Sequence, residues 1–573
     1  MTEPIAFIPG QSEPETGLLS RYLPPLPIGI VSTWLKEHLP AGAWVIDPFG
    51  ADPDLAAEAA RAGYRVLVAA NNPIARFLLE MAAKPLTEVE LQSALADLAA
   101  TRKGEERLEL NIRGLYQSKC AACGNEVNVE AFLWERNASA PYAKIYQCQN
   151  CGEAGEYLTS DEDISRSKRF SESSLHHARA LERVTSRDDP DRNHVEDALS
   201  VYLPRAVYAL FTLVNKVESL IGTQARLPSG FEPAQSTRQR ALFALLLSAF
   251  DQTNTLWAHP VARARPRQLT VPPHFRENNV WLALEESIPL IASTEDEVPL
   301  ATWPETPPLS GGISIFEGRL KDLGVEKEGS RLERIDFQAV LAALPRPNQA
   351  FWTLSALWAG WLWGRDALGP FKSVLRRRRY DWAWHTTALQ AAASILLPLL
   401  SETTLFFGLI GELEPGFLAS ALLGEALGGF ELQGLALRTA SDQAQLTWKS
   451  QGIPSQSKTA DLNSKNLIDV AVRSGFDYLN DCGEPSDYLC LQAAALEKII
   501  GLGLPSTGIS KPPAEVYAQI QDALENAFGY RYGFVRFGGN EKSLEAGKWW
   551  LRKDETVTIP LKDRVEMALV RWL

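Results

Sequence analysis

The amino-acid sequence predicts an α/β protein with a parallel sheet at its centre, a metal-stabilised insertion and a mostly helical C-terminal region. Three observations carry that reading. Between Ala43 and Ala83, two apolar strand-like runs alternate with two alanine-rich helical ones. Strand, helix, strand, helix over about forty residues argues for parallel strands joined by crossover helices. Two Cys-x-x-Cys pairs lie between Cys120 and Cys151, a pattern that favours a metal site over a disulfide framework. Beyond the polar stretch SQGIPSQSKTADLNS, residues 450–464, the chain reads as largely helical.

Each element follows from its own residues. Ile28 to Glu37 reads as a short helix ended near Leu39-Pro40, and Ala43 to Asp47 as a buried strand. Asp54 to Ala62 is an alanine-rich helix stopped by Gly63, Arg65 to Ala70 a second strand, Pro73 to Ala83 a second helix and Glu88 to Thr101 a third. Ser160 to Arg192 is strongly charged and reads as an exposed connector or a charged helix, with His176-His177 on a solvated surface. Leu199 to Ile221 and Arg238 to Ser248 are amphipathic helices. Thr294 to Gly312, rich in Pro, Thr and Ser, reads as a loop. Helices and apolar strands alternate again from about Phe337 to Leu446, and Asp563 to Leu573 is a short charged helix.

Composition narrows the classes. A chain of 573 residues with 45% apolar content can bury several cores. The formal net charge of -13 gives no bulk attraction to nucleic acid, so such contact has to come from local basic patches. The polar, proline-rich start MTEPIAFIPGQSEPETG carries no secretion signal. The apolar stretch from Thr387 to Ile410 is broken by Pro398, Ser401 and Glu402. A soluble cytoplasmic protein is the expectation.

The segment VIDPFGADPDLAAEAARAGYRVLVAANNPIARFLLE, residues 45–80, resembles the opening of adenine-specific DNA methyltransferases that carry an inserted zinc ribbon. Their pattern is a strand, Asp-Pro-Phe-x-Gly-x-Gly, a helix, a second strand ending in an acid, then x-Asn-Pro. Asp47, Pro48, Phe49, Asn72 and Pro73 match. The resemblance implies a Rossmann-like methyltransferase fold, with Asp47, Phe49, Gly50, Asn71 and Asn72 as the remains of a cofactor site. The departures fall on the chemistry. Ala51 and Pro53 stand where glycines are expected, and Pro53 has no amide hydrogen to offer. Ala70 stands at the ribose-binding acid, although Asp52 or Asn71 could serve in its place. The loop therefore argues against bound S-adenosylmethionine.

The ribbon is intact. Cys120, Cys123, Cys148 and Cys151 form C-x2-C, 24 residues, C-x2-C, and Gly124 and Gly152 follow the two pairs. Each short pair presents two thiolates to one tetrahedral ion, and four thiolates leave zinc no open position, so the site is expected to be structural. Cys482 and Cys490 have no such partners and read as core residues.

The family's amine-binding motif is an Asp or Asn, Pro-Pro and an aromatic, and the matching region is ALPRPNQAFWTLSALWAGWLWGRD. The best register puts Ala343, Leu344, Pro345 and Arg346 there, and a one-residue shift puts Ala342 at the acid. Neither supplies an Asp or Asn, and Asn348 lacks the Pro-Pro-aromatic frame. Trp352, Trp358, Trp361 and Trp363 could stack bases, but their helical spacing suits a packed core face. The candidate phosphate contacts are Arg376, Arg377, Arg378 and Arg379, with Lys372, Tyr380, Trp382 and Trp384 interleaved, and Arg263, Arg265 and Arg267 near His259 and His274.

The sequence thus divides into a first methyltransferase-like part at 1–115, the ribbon at 116–157, a helical insertion with the remainder of that domain at 158–450, and a helical region at 451–573. The expected function is a catalytically degenerate DNA-methyltransferase-like protein, with zinc as cofactor, that binds DNA or serves a DNA-processing or defence assembly with protein partners. The alternatives are an active adenine methyltransferase and a protein-interaction scaffold that never touches DNA.

Overall fold

The structure, a computed structural model, describes residues 5–11, 17–170, 174–222, 236–262, 265–323, 335–377, 380–451, 464–503, 511–528, 532–539, 543–552 and 559–572. The chain opens with α1 (Ile30–His38), β1 (Trp44–Asp47), α2 (Pro53–Arg61), β2 (Arg65–Ala69) and α3 (Pro73–Ala83). Both α2 and α3 start on a proline, whose missing amide hydrogen costs nothing there. Each is capped by the preceding side chain, Asp52 or Asn72.

A long excursion follows. It holds α4 (Glu88–Ala100), the ribbon strands β3 (Gln117–Lys119), β4 (Glu126–Glu135), β5 (Ala143–Gln147) and β6 (Ala154–Leu158), then α5 (Pro204–Ile221), α6 (Thr237–Gln252), β7 (His274–Asn278) and α7 (Val280–Ile291). The chain returns to the main sheet through β8 (Leu300–Thr302), β9 (Gly312–Phe316) and β10 (Phe337–Ala343). It continues with α8 (Gln349–Trp363), α9 (Trp382–Leu396), β11 (Leu400–Ile410), α10 (Pro415–Leu427), β12 (Phe430–Arg438) and β13 (Gln443–Ser450). The C-terminal region contributes α11 (Ser464–Cys482), α12 (Tyr488–Gly501), α13 (Pro513–Ala527) and α14 (Leu561–Trp572).

The main sheet has eight strands in the order β8-β9-β2-β1-β10-β11-β13-β12. All pairs are parallel except those of β13, which runs against β11 and β12. Strand direction alternates side chains between two cores. Val45, Val66, Val68, Ala339 and Leu341 pack beneath α1 and α2. Trp44, Ile46, Leu67 and Val340 face the other way, toward α9, α10 and the C-terminal helices. A third core joins α3 and α8 to the helices of the excursion.

β7 adds to the ribbon by pairing with the far half of β4, from Ala131↔Asn278 to Glu135↔His274. At that joint Arg205 of α5 makes a bidentate pair with Glu277, Nε to Oε1 at 2.7 Å and Nη2 to Oε2 at 2.5 Å. Both side chains are almost fully buried. Trp134 Nε1 donates to the same carboxylate at 2.8 Å, and the rings of Phe132 and Tyr116 flank the guanidinium at 4.4 and 4.8 Å.

One expectation is corrected, and for a second the helical alternative holds. The loop of residues 294–312 contains β8, a three-residue edge strand too short for periodicity to register. The charged stretch after the ribbon holds two short helices, Asp161–Ser167 and Leu175–Glu182, and Asp163 is buried against Lys144 Nζ at 2.9 Å.

Candidate functional site

Two places concentrate chemistry. The first is the ribbon. β3 runs into Cys120-Ala-Ala-Cys123 and β5 into Cys148-Gln-Asn-Cys151, and the two turns repeat the same bonds. The Cys120 N–H donates to Asn125 O at 2.8 Å and Gly124 N–H returns to Cys120 O at 3.0 Å. In the second turn Cys148 N–H reaches Glu153 O at 2.7 Å and Gly152 N–H reaches Cys148 O at 2.9 Å. Gly124 and Gly152 sit at φ +72° and +78°, where a side chain is strained.

All four Sγ atoms lie within 4.8 Å of one another. Cys120 and Cys151 are 3.7 Å apart, as are Cys123 and Cys148. A tetrahedral zinc bonded to sulfur at about 2.3 Å sets its ligands about 3.8 Å apart, so the cluster has the dimensions of a zinc site. Outer donors support it: Tyr146 Oη and Asn150 Nδ2 each stand 3.7 Å from a sulfur. The backbone amide of Cys123 holds the Cys120 thiol down to about 6. The Glu153 amide, by contrast, is outweighed by the neighbouring sulfurs, which push Cys151 up to about 12, so deprotonation of all four calls for the charge of a bound cation.

The second place is a cavity of about 320 Å³ at the carboxyl ends of β1, β2, β10 and β11. It lies where the strand order reverses between β1 and β10, the position at which open α/β sheets take ligands. Its size falls at the lower end of small-molecule pockets. Phe49, Gly50, Asn71 and Asn72 line it, so four of the five residues expected at the cofactor site meet there. Asp47, the fifth, turns inward: its Oδ1 accepts the Phe49 and Gly50 N–H groups, each at 3.0 Å, and burial pushes the carboxyl up to about 6. Gly50 is at φ +52°, and a Cβ there would come 3.1 Å from Val68. Asp52 caps α2 through the Asp54 N–H at 3.0 Å, and burial raises its pKa well above the ordinary value. Ala70 is buried in the core beneath α1 and α2, which leaves Asn71 as the polar side chain of β2's end that reaches the cavity.

The β10 end is equally specific. Ala342 and Ala343 lie buried on opposite faces of the sheet. Leu344, Pro345 and Arg346 line the cavity, with Asn348 beyond them. Asn348 caps α8, its Oδ1 accepting the Phe351 N–H at 2.9 Å. Arg346 Nη2 stands 2.5 Å from Glu414, Nη1 bonds the Glu412 carbonyl at 3.2 Å, and its guanidinium lies 5.5 Å from the Trp382 ring. Glu412 and Glu414 are site residues that the sequence reading passed over. The signal was available in GELEP, two acids directly after a strand and ahead of a helix.

The aromatic helix divides. Trp358 and Trp361 are fully buried, their indole N–H groups donating to Tyr202 Oη at 2.7 Å and Ala180 O at 3.1 Å. Trp363 packs edge-on to Phe77 and Phe243. Trp352 alone of the four borders the cavity, 5.6 Å from the Tyr380 ring and 6.5 Å from Trp384.

Most of the described arginines proposed for phosphate contact are engaged. Arg265 bonds Ser20 O and Leu23 O at 3.2 and 2.5 Å and lies 3.7 Å from Glu412. Arg267 reaches Glu412 and Glu414 at 3.7 and 3.6 Å. Arg376 pairs with Asp191, and Lys372 with Asp189. Arg377 rests over Trp384, 4.4 Å from its centroid, and makes no ion pair among the described residues. Arg263, Arg378 and Arg379 lie outside the described residues. His259 Nε2 faces Glu156 at 3.1 Å, His274 stands edge-on to Tyr142, and His176 packs on Tyr208.

Together these features define an α/β protein with a mostly parallel sheet, a separate antiparallel sheet that carries a four-cysteine zinc site, and a helical C-terminal region. No protein-family profile, no curated protein and no solved structure matches the chain.

Proposed function

We propose that this chain is a Rossmann-like methyltransferase-type protein, akin to the zinc-ribbon adenine-specific DNA methyltransferases, that has lost transfer chemistry and acts as a nucleic-acid-binding subunit of a DNA-processing or defence assembly. The observation that carries the reading is the contrast at one cavity. A pocket persists at the switch point, yet the strand end that would hold the target amine offers Leu344, Pro345 and an ion-paired Arg346. An exocyclic amine needs acceptors, and leucine and proline side chains have none. Strand order supports the fold half: without the edge strand β8 the sheet reads 3-2-1-4-5-7-6, a Rossmann order with one reversed strand inserted.

The test is calorimetry with S-adenosylmethionine, together with transfer of labelled methyl to adenine-containing DNA. No label should appear. Micromolar cofactor binding with labelled adenine would instead make this an active enzyme, a reading supported by Asn71 and Asn348 at the cavity wall.

A scaffold without nucleic-acid contact is supported by a different observation, the pairing of Arg265, Arg267 and Arg376 with carboxylates. Gel shifts across a salt series separate it from the leading reading. Phosphate contacts weaken steeply with salt, and absence of any shift at low salt would favour the scaffold.

A further inference from the structure

We propose that α14 is an exchange arm: it docks along α13 of a second copy of this chain, and the second copy docks its own arm in return. No residue of α14 is buried. Leu561, Val565, Leu569 and Trp572 recur at helical spacing along one side, and Trp572 is 93% exposed. The arm is held at its root, where Lys562 Nζ meets Glu484 at 2.6 Å and Arg564 bonds the Asp481 carbonyl. A soluble helix with such a stripe is half of an interface.

The other half lies elsewhere on the molecule. A groove of about 500 Å³ runs along one face of α13 beside the start of α11, with Ile468, Ala518 and Ala523 in its wall, Glu515 and Asp522 along it, and Lys511 at one end held on Gln519 Oε1 at 2.8 Å. Charge fixes the match. Glu515 and Asp522 are seven residues apart on α13, and Arg564 and Arg571 are seven residues apart on α14. Seven residues are two helical turns, about 10.5 Å, so each pair projects from one side of its helix at the same interval. None of the four is ion-paired among the described residues. Lengths match as well: the groove spans Glu515 to Asn526 and the apolar stripe Leu561 to Trp572, about 16 Å each.

Geometry favours a second copy over the chain's own arm. The root contacts lie at the end of α11, and Ile468 lies thirteen residues earlier on that helix, about 20 Å away. To fill its own groove the arm would have to leave Glu484 and Asp481. Exchange between copies keeps the Lys562–Glu484 pair, and Arg564 turns from the Asp481 carbonyl to the acid of the second copy. It also doubles the interface, toward the roughly 1,200–2,000 Å² that stable complexes bury.

Sedimentation velocity on the full zinc-loaded chain over a concentration series tests the proposal. A dimer is expected, and removal of residues 559–573 should leave a monomer. R564E/R571E and E515R/D522R, all on exposed positions, should each weaken the dimer at least tenfold. An equal mixture of these two variants should dimerise again, because each arm then meets a groove of opposite charge. A wild-type monomer at every concentration overturns the proposal. So does a dimer that survives the truncation, or a mixture that stays monomeric while wild type pairs. Hydrogen-exchange protection of α14 in wild type diluted to monomer, lost in E515R/D522R, would show docking within one chain and also overturn it.

Discussion

The ribbon and the switch-point cavity are built on opposite principles. In the ribbon, four side chains converge on one point and little else holds them: the local core is Cys120, Val127, Tyr146 and Cys148, with Tyr157 against it. In the cavity, the walls belong to the ends of strands whose side chains fill two large cores. A region held by its ligands has to keep all of them in order to fold. A region held by the sheet beneath it can change the residues at its rim and still present a pocket. That difference accounts for a ribbon with all four thiols and a cavity whose β10 rim carries the apolar Leu344 and Pro345.

The largest effect should come from removing a zinc ligand. Cys148→Ser, or chelation, forfeits metal binding worth roughly 10–16 kcal/mol in small zinc domains. Metal analysis should find one zinc per chain in wild type. Hydrogen exchange should then show β3, β6 and the knuckle ends of β4 and β5 losing protection, while β1, β10 and the half of β4 paired with β7 keep theirs. Equal loss in β1 and β10 would break the comparison, because the cavity would then depend on the metal too.

Next in size is the joint between the ribbon and α5 of the excursion. Arg205→Ala leaves Glu277 buried without its partner, a loss of about 3–5 kcal/mol. Denaturant unfolding measures it, and a loss below about 1 kcal/mol would mean that the ribbon docks by strand pairing alone.

Asp47 sharpens the cavity side. Folding raises this carboxyl to about 6, so the folded protein binds the proton more tightly than the unfolded one. Stability from that proton is fully present below about pH 4 and is lost as pH rises through 6. In Asp47→Asn, Oδ1 can keep both loop bonds and the titration disappears. Wild type should lose about 1–3 kcal/mol relative to the variant between pH 4 and 7. A constant difference across that range would mean that Asp47 is charged in the fold throughout.

The smallest effect is expected at the outer rim. Arg267 is half-exposed, and Arg267→Ala should cost no more than about 1 kcal/mol. A larger loss, measured as a shift of the denaturant midpoint, would mark the rim as part of the supporting core and narrow the contrast.

Local sequence signals were strong where one element makes its own case. Helix α3 runs from Pro73 to Ala83 as its proline start and apolar spacing predict. The cysteine knuckles close through bonds between residues no more than five apart. Where the reading depended on which face a residue takes, it ran out. Ala70 drew attention as a missing acid, yet the pleat sends it into the core and Asn71 to the cavity. Arg265 and Arg267 read as free cations because their partners, Glu412 and Glu414, lie about 150 residues away in the chain.

By itself, then, the sequence determined the zinc site, the alternation of strands and helices, and the apolar content of the strands, because each depends on near neighbours. Tertiary structure alone decided the strand order that opens the cavity, the pairing of its rim arginines, and the exposure of α14. Those depend on which distant segments meet, and charge or hydrophobicity along the chain does not encode that meeting until the cores have closed.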